Sequence, residues 1–180
     1  MSGSDVGRQA PAGGDRRASE REGRRLALGA VFEADFGMRT PQRVLERRLE
    51  EEGTDPVASL HARTLVDAVA LHRDAIDAEI ERRAPAYPVV QLARIDRALL
   101  RSAMGELLHC PATPTRVAIS EWVEMSRTYS GEPTRRLVNG VLGQVANAST
   151  RKGPDRGAHA AGPDLETTDV TTGHEEGTPQ

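Results

Sequence analysis

Three arginines stand close together near the start of the chain, and their spacing is the first pattern that could do chemistry. Arg21, Arg24 and Arg25 fall within two turns of a predicted helix. At about 100° per residue, Arg21 and Arg25 project in nearly the same direction as Leu28 and Phe32, so an apolar stripe begins as a cationic one. Guanidinium groups bind phosphates bidentately and stack on unpaired bases, which makes RNA one candidate ligand.

An ordinary charged helix end is the alternative explanation, and spacing alone favours it. All but one of the 24 basic residues are arginines, and few aromatic residues are interleaved with them. Because an arginine is not buried without partners, we expect the first turns of this helix to extend beyond the packed body. Arg135 and Arg136, at the start of the last predicted helix, are candidates for the same surface.

The sequence shows no pattern typical of an enzyme or a metal site. None of the histidines has another three or four residues away, and His109-Cys110 supplies only two of the four ligands of a zinc site. Glu121 and Glu124 lie one turn apart, but no nucleophile or basic partner accompanies them, so a solvated face explains them better. No glycine-rich loop lies in a βαβ context. We therefore expect no catalytic residue, no metal and no cofactor.

The two ends of the chain differ in composition from its middle. Only 37% of the 180 residues are hydrophobic, which is low for a chain that folds throughout. Residues 1–18 are rich in Gly, Ala, Ser and Arg, and the C-terminal end contains only Leu165 and Val170 as sizeable apolar residues. We expect disordered tails at 1–18 and 149–180, the second of them acidic, and one helical domain at 19–148.

Charge and cysteine content restrict the cellular setting. The formal net charge of -3 identifies no class of partner by itself. A single cysteine allows no internal disulfide and favours a reducing compartment. No apolar run approaches the roughly 18 residues of a membrane span, and the N-terminus lacks the apolar core of a signal peptide. We therefore expect a cytoplasmic protein.

Start and stop signals divide the middle of the chain into six predicted helices. Ser19 and Glu22 form a capping-box pattern that starts the first helix, and Gly37 ends it. Thr40-Pro41 and Asp55-Pro56 each pair an N-cap with a proline, and they start the second and third helices. The predicted helices cover about residues 19–36, 41–52, 56–83, 92–108, 115–130 and 133–145.

These elements predict an all-α fold. No segment alternates apolar and polar residues as a strand does, and an aromatic content of 3% also disfavours a sheet. Short connections favour a compact single-domain bundle of about six to seven helices. Inside the sixth helix, Gly140 costs about 1 kcal/mol relative to Ala. We expect Asn139-Gly140 to permit the close approach of another helix backbone.

Three segments in fixed order resemble one known family. Residues 95–108 read Ile-Asp-Arg-Ala-Leu-Leu-Arg and end in Glu-Leu-Leu, residues 116–121 read Arg-Val-Ala-Ile-Ser-Glu after Pro114, and residues 137–142 read Leu-Val-Asn-Gly-Val-Leu. Together with the arginine-rich first helix, this set resembles the NusB family of bacterial transcription antitermination factors. The resemblance covers about residues 19–148.

The resemblance implies an RNA-binding function without catalysis. NusB-like proteins are all-helical and bind the boxA element of nascent ribosomal RNA jointly with the ribosomal protein NusE. They act in an elongation complex with other Nus factors and promote full transcription of rRNA operons. Carried onto matching positions, Arg21, Arg24 and Arg25 fall in the family's RNA-binding helix, and Tyr129 and Arg136 fall near its second RNA-contacting region.

The resemblance also implies a partner surface. Phe32, Asp96 and Arg101 match the surface that similar proteins present to NusE, although Phe32 also fits a core position. Several residues depart from the family pattern: Glu20 and Glu22 interrupt the basic segment, Leu137 stands where an aromatic ring is usual, Ser120 replaces Asn, and Pro133 occupies a turn position that is often polar. Loss of a stacking ring at Leu137 would weaken base contact.

Two other functions compete with this hypothesis. The first is a helical protein-interaction module that does not touch RNA. The second is an RNA-modifying enzyme, because NusB-like domains also occur in ribosomal RNA cytosine methyltransferases. We expect no enzyme, since no cofactor-binding βαβ unit is present. The sequence leaves open whether the chain forms a homodimer, which would bury the arginine surface if it used the first helix.

Overall fold

The computed structural model describes the backbone of residues 13–151 and the side chains of residues 16–148. Most of the tails predicted at 1–18 and 149–180 therefore lies outside the described residues. The described part contains seven α-helices, one short 3₁₀ helix and no strand, which confirms the all-α prediction. The α-helices are α1 Gly13–Ala34, α2 Pro41–Glu52, α3 Pro56–Leu71, α4 Arg73–Arg83, α5 Arg94–His109, α6 Thr115–Tyr129 and α7 Glu132–Arg151, and the 3₁₀ helix is Val89–Gln91.

The starts of α2 and α3 follow the predicted capping chemistry. The Thr40 side chain accepts from the backbone N–H of Arg43, and the Asp55 carboxylate accepts from that of Ala58 at 3.1 Å. A proline occupies the first turn of each helix. Gly53, with φ of 59°, ends α2 in the left-handed conformation that glycine adopts without strain.

The predicted start of α1 is wrong. The helix begins at Gly13, so Ser19 lies inside it. Instead of capping α1, the Ser19 hydroxyl donates to the Asp55 carboxylate, and this hydrogen bond lowers the pKa of Asp55. Glu22 does not reach back either, because Arg25 holds its carboxylate. The two side chains of the capping-box pattern therefore make other contacts. Glu22 binds within α1, and Ser19 binds the N-cap residue of α3.

The long third helix predicted over 56–83 is also wrong, since the chain breaks at His72. There the backbone adopts φ of −111° and ψ of 19°, and α4 begins at the next residue. The His72 ring stacks on that of His109, with 3.8 Å between centroids and 9° between planes. The break turns α4 so that it packs against α5 and α7.

The core lies around α5, which contacts α1, α3, α4, α6 and α7. The largest fully buried apolar side chains of the core include Leu65, Ile80, Leu100, Trp122 and Leu142, which come from five different helices. Within the described residues, no helix is long and apolar enough to cross a membrane.

The predicted extension of the first turns beyond the body is confined to residues before Ser19, since residues 16–18 are exposed but Gly23 and Arg24 are buried. From Ser19 onward the first helix packs against the body. Its main neighbour is α3. At Gly23, an added Cβ would lie 2.7 Å from the carbonyl oxygen of Ala58, so only glycine allows this approach. The opposite holds at Gly140, where an added Cβ would meet no atom within 4 Å. Gly140 is exposed, and the prediction that it permits close helix packing is wrong.

Candidate nucleic-acid interface

One face of α1 carries exposed arginines at four-residue spacing. Arg17, Arg21 and Arg25 lie on this face, and the Arg21 side chain is 65% exposed. Arg17 makes no ion pair with any described residue. Arg17 is absent from the predicted RNA-binding residues because the predicted helix starts at Ser19, although its four-residue spacing from Arg21 places it on the same face.

Carboxylates already hold two of these arginines. Arg21 donates to both carboxylate oxygens of Glu121 on α6, at 2.8 and 2.9 Å. This contact lowers the pKa of Glu121. Arg25 donates to Glu22 and, at 2.9 Å, to Glu52 on α2, and these contacts raise the pKa of Arg25. Exposed ion pairs are worth about 0–1 kcal/mol, so a phosphate group can displace such a carboxylate at small cost.

Arg24 is buried, and its predicted contact with RNA needs correction. Its side chain is 1% exposed and points into the core. It donates bidentately to Glu106 on α5, at 2.8 Å from Nε and 2.6 Å from Nη2. The burial of an arginine is possible here because the carboxylate supplies the partner it needs.

Glu106 is the centre of a buried cluster that also includes Arg24, His61 and Trp122. The indole N–H of Trp122 donates to Glu106 at 2.6 Å. The Nε2 atom of His61 lies 3.2 Å from Glu106 Oε1, which is ion-pair distance, although it makes no hydrogen bond of good geometry. Burial would raise the pKa of Glu106, but His61 and Arg24 outweigh it and lower that pKa to about 2. Glu106 is therefore ionised at neutral pH.

The turn between α6 and α7 offers the second predicted RNA contact. Tyr129 is exposed at the end of α6, and the Arg136 side chain is 75% exposed on α7. Glu132 accepts from Arg135 at 2.7 Å and from Arg136 at 3.1 Å. These two hydrogen bonds lower the pKa of Glu132 to about 2.

Electrostatic contacts join this turn to α1. Arg127 holds Glu124, and the charges of Arg21 and Arg135 also lower the pKa of Glu124. Glu121 and Glu124 of α6 lie between the arginines of α1 and those of the turn, and we treat the two predicted RNA-contacting regions as one candidate surface. We call it the arginine surface, and it consists of Arg17, Arg21, Arg25, Arg127, Arg135 and Arg136.

A cleft of about 630 Å³ opens beside the α6–α7 turn. Leu137, Gly140 and Arg136 line it from α7, and Tyr87 lines it from the segment before α5. Leu137 is half-buried, and Tyr87 is 52% exposed, so the cleft presents an aromatic ring from another segment.

The residues predicted to contact a protein partner have different surroundings. Phe32 is half-buried and meets the ring of Phe36 edge to face, at 5.5 Å between centroids. The Arg94 guanidinium lies over Phe36 at 4.4 Å from the ring centroid. We call Phe32, Phe36 and Arg94 the aromatic patch. Asp96 is half-buried and accepts from the Thr134 hydroxyl at 2.9 Å.

Arg101 is buried, so its predicted contact with a partner needs correction. It donates to both oxygens of Asp77 at 2.8 and 2.7 Å, and to Asp35 at 3.0 Å. Arg97 also binds Asp35. Arg101 thus ties α5 to α4 and to the end of α1.

His109 and Cys110, the zinc-ligand candidates of the sequence, pack within the fold. His109 stacks on His72, and burial together with the charge of His72 lowers the pKa of His109. Burial raises the pKa of Cys110 to about 11, so its thiol stays protonated. Among the described residues, no three His, Cys, Asp or Glu side chains converge as a metal site.

Comparisons with known proteins agree on one family. The sequence model of the NusB family matches residues 21–147. The transcription antitermination protein NusB of Heliobacterium modesticaldum is 36% identical over 162 residues, which cover 89% of this chain and 79% of that protein. NusB of Roseiflexus sp. strain RS-1 is 39% identical over 126 residues, which cover 69% of this chain and 89% of that protein.

Solved structures share the fold. T. maritima NusB superposes with a TM-score of 0.66 at 29% identity, covering 71% of this chain and 90% of that one. A crystal structure of NusB and NusE in complex with double-stranded RNA gives a TM-score of 0.66 at 23% identity, covering 73% of this chain and 98% of that one.

Proposed function

The chain belongs to the NusB family of transcription antitermination proteins, and from this premise we propose that it binds the boxA element of nascent ribosomal RNA together with NusE. Antitermination is the function of the family, and it requires no catalysis. We further propose that the chain joins the elongation complex with other Nus factors and promotes full transcription of rRNA operons. Work on nascent bacterial transcripts would place it in the cytoplasm.

The continuous arginine surface carries this proposal. It runs from α1 to the α6–α7 turn, and its ion pairs are exposed to solvent. RNA phosphates would replace Glu121, Glu22 and Glu132 as partners of these arginines. Tyr129, exposed at the turn, supplies a ring on which an unpaired base can stack.

The aromatic patch and Asp96 form the proposed contact with NusE. Phe36 is 51% exposed, and an exposed aromatic ring next to an arginine is typical of the centre of a protein interface. A homodimer that used α1 would cover Arg21 and Arg25, so we expect self-association to compete with RNA binding.

The test is RNA affinity measured with and without NusE over a range of salt concentrations. The variant is Arg17→Ala/Arg21→Ala/Arg25→Ala, which removes three charges from the α1 face. We expect weaker binding of boxA RNA and a shallower dependence on salt, by about 0.7 per lost phosphate contact.

A matched control is Arg39→Ala/Arg43→Ala/Arg73→Ala, which removes three exposed arginines from other positions. It should retain the affinity and the salt dependence of the wild type. An equal loss in both triple variants, or no loss in the first, would remove the α1 face from the RNA site.

One observation favours the second candidate, a protein-interaction module without RNA binding. Of the arginine surface, every residue except Arg17 is already paired with a carboxylate. This candidate predicts NusE binding with weak dependence on salt, and no preference for boxA RNA over a scrambled RNA of the same length.

A further inference from the structure

We infer that Arg24 is a positioning residue for RNA binding: through the buried Glu106 cluster it fixes the rotation of α1 about its own axis, so that Arg21 and Arg25 face RNA. This inference rests on the proposed function. It assigns to Arg24 a role without RNA contact, and it gives His61, Glu106 and Trp122 a shared role in the same task.

The cluster joins four helices at a single carboxylate. Arg24 comes from α1, His61 from α3, Glu106 from α5 and Trp122 from α6. Both oxygens of Glu106 are engaged, since Oε1 accepts from Arg24 Nη2 while Oε2 accepts from Arg24 Nε and Trp122 Nε1. A bidentate pair fixes the direction of a side chain as well as its distance. The cluster therefore sets the orientation of α1 relative to three other helices.

The rotation of α1 decides which arginines reach solvent. At about 100° per residue, Arg24 projects about 60° from Arg21 and about 100° from Arg25. A turn of about 60° that brought Arg24 to the position of Arg21 would rotate Arg21 and Arg25 by the same angle, away from the directions in which they now point. Gly23 also favours the observed rotation. Because it has no side chain, α1 can lie against the Ala58 carbonyl at this position.

Electrostatics keep the helix in the observed rotation. The Arg24 side chain is 1% exposed and that of Glu106 is 0% exposed, so moving either one leaves the other charge buried without its partner. The Arg21–Glu121 pair is exposed and holds the same helix weakly by comparison. The buried pair, not the exposed one, therefore determines where the RNA-facing arginines point.

The experiment compares Glu106→Gln with wild type in boxA RNA binding. Glu106 is buried and cannot touch RNA, so its effect must pass through the helices that it joins. We expect affinity to fall by about tenfold, which is typical of coupled neighbouring residues. If Arg24 contacted RNA directly, the same change would release it and raise the affinity. Glu46→Gln, which removes an exposed ion pair with Arg63, is the matched control and should change nothing.

A double-mutant cycle separates positioning from general loss of structure. Arg24→Lys keeps the charge but cannot form the bidentate pair, and we expect it to weaken RNA binding in the wild-type background. In an Arg21→Ala/Arg25→Ala background, Arg24→Lys should have no further effect, because the residues it positions are absent. Additive effects would overturn the inference. The fluorescence of Trp122, the only tryptophan, confirms that each variant is folded and reports on the cluster.

A readout without RNA keeps this inference distinct from the proposed function. Phenylglyoxal modifies accessible arginines, and mass spectrometry of peptides locates the modification. In the wild type, we expect Arg21 and Arg25 to react and Arg24 to be protected. In the folded Glu106→Gln variant, Arg24 should react as well. Failure of the wild type to bind boxA RNA would overturn the proposed function alone, whereas continued protection of Arg24 in the variant would overturn the inference.

Discussion

Glu106 shows how one buried residue links stability to pH. Its pKa lies near 2, whereas the ordinary value is 4.5. A carboxylate with a lowered pKa in the folded state contributes stability that is present above pH 4.5 and is lost as pH falls toward 2. The size of the shift corresponds to about 3 kcal/mol.

Urea unfolding of the wild type should therefore show a steep loss of stability between pH about 5 and about 2, and Glu106→Gln should flatten this dependence. Glu132 has a similarly lowered pKa, but its ion pairs are exposed and screened by salt. At high salt, Glu132→Gln should leave the pH dependence in place. An equally steep curve in Glu106→Gln would show that other carboxylates dominate.

Arg101 and Phe36 provide a second contrast at the residue scale. Arg101→Ala would leave Asp77 without its arginine and Asp35 with Arg97 alone, and we expect a loss of about 3 kcal/mol in stability. Phe36→Ala removes an exposed ring, so it should weaken NusE binding with little change in stability. Thermal unfolding and a NusE binding assay measure both quantities, and the reverse pattern would place the partner contact at Arg101.

The arginines also show which residue roles the sequence could predict. Helical spacing correctly indicated a cationic face that contains Arg21 and Arg25. It could not separate Arg24 from them, because the residue that buries Arg24 stands 82 positions away in the chain. Long-range partners decide whether an arginine is a surface group or a core group, and local spacing does not contain that information.

At the scale of helices, two glycines should respond in opposite ways to the same substitution. Gly140→Ala adds a methyl group in open space on α7, and we expect a gain of about 0.5–1 kcal/mol from helix propensity. Gly23→Ala places the same group against the Ala58 carbonyl, and overpacking should cost about 1–3 kcal/mol.

Urea denaturation of both glycine variants measures the difference. A stabilised Gly23→Ala variant would mean that α1 can move away from α3 at little cost. The binding of boxA RNA by the same protein would then show whether this movement matters for the arginine surface.

Helix boundaries were predictable where the signal was local. Thr40-Pro41 and Asp55-Pro56 start α2 and α3 as expected, because a cap and its proline act within one turn. The break at His72 carries no proline or glycine, and it accompanies the stacking of His72 on a ring from the end of α5. Ser19 has a capping sequence, but it binds Asp55 instead. In both cases a tertiary contact overrides the local pattern.

On the scale of the whole molecule, the arginine surface and the aromatic patch lie at opposite ends of α1. Arg21 and the end of the helix at Ala34 are about 20 Å apart along the axis. The arginine surface lies toward one end, next to α6 and α7. The aromatic patch lies at the other end, where Arg94 of α5 covers Phe36. Along α1 the proposed RNA and protein contacts therefore lie at different ends, whereas Asp96 lies beside the α6–α7 turn.

This arrangement predicts separable effects on the two ligands. On the chain alone, Arg21→Ala/Arg25→Ala should weaken RNA binding and leave NusE binding unchanged, because the aromatic patch is intact. Phe36→Ala should do the reverse. Fluorescence anisotropy with labelled boxA RNA and calorimetry with NusE would measure the two affinities. A loss of both affinities in either variant would mean that the surfaces overlap.

The two ligands should nevertheless be coupled when both are present. If NusE raises the affinity for RNA by some factor, RNA must raise the affinity for NusE by the same factor, because binding free energies close a thermodynamic cycle. Phe36→Ala should lower the fraction of chains that carry NusE at a given NusE concentration. The benefit of NusE, which is the gain in RNA affinity that it provides, should then be smaller. Saturating NusE should restore that benefit in full if Phe36 acts only in docking NusE. A benefit that stays smaller at saturation would show that the aromatic patch also transmits the coupling along α1.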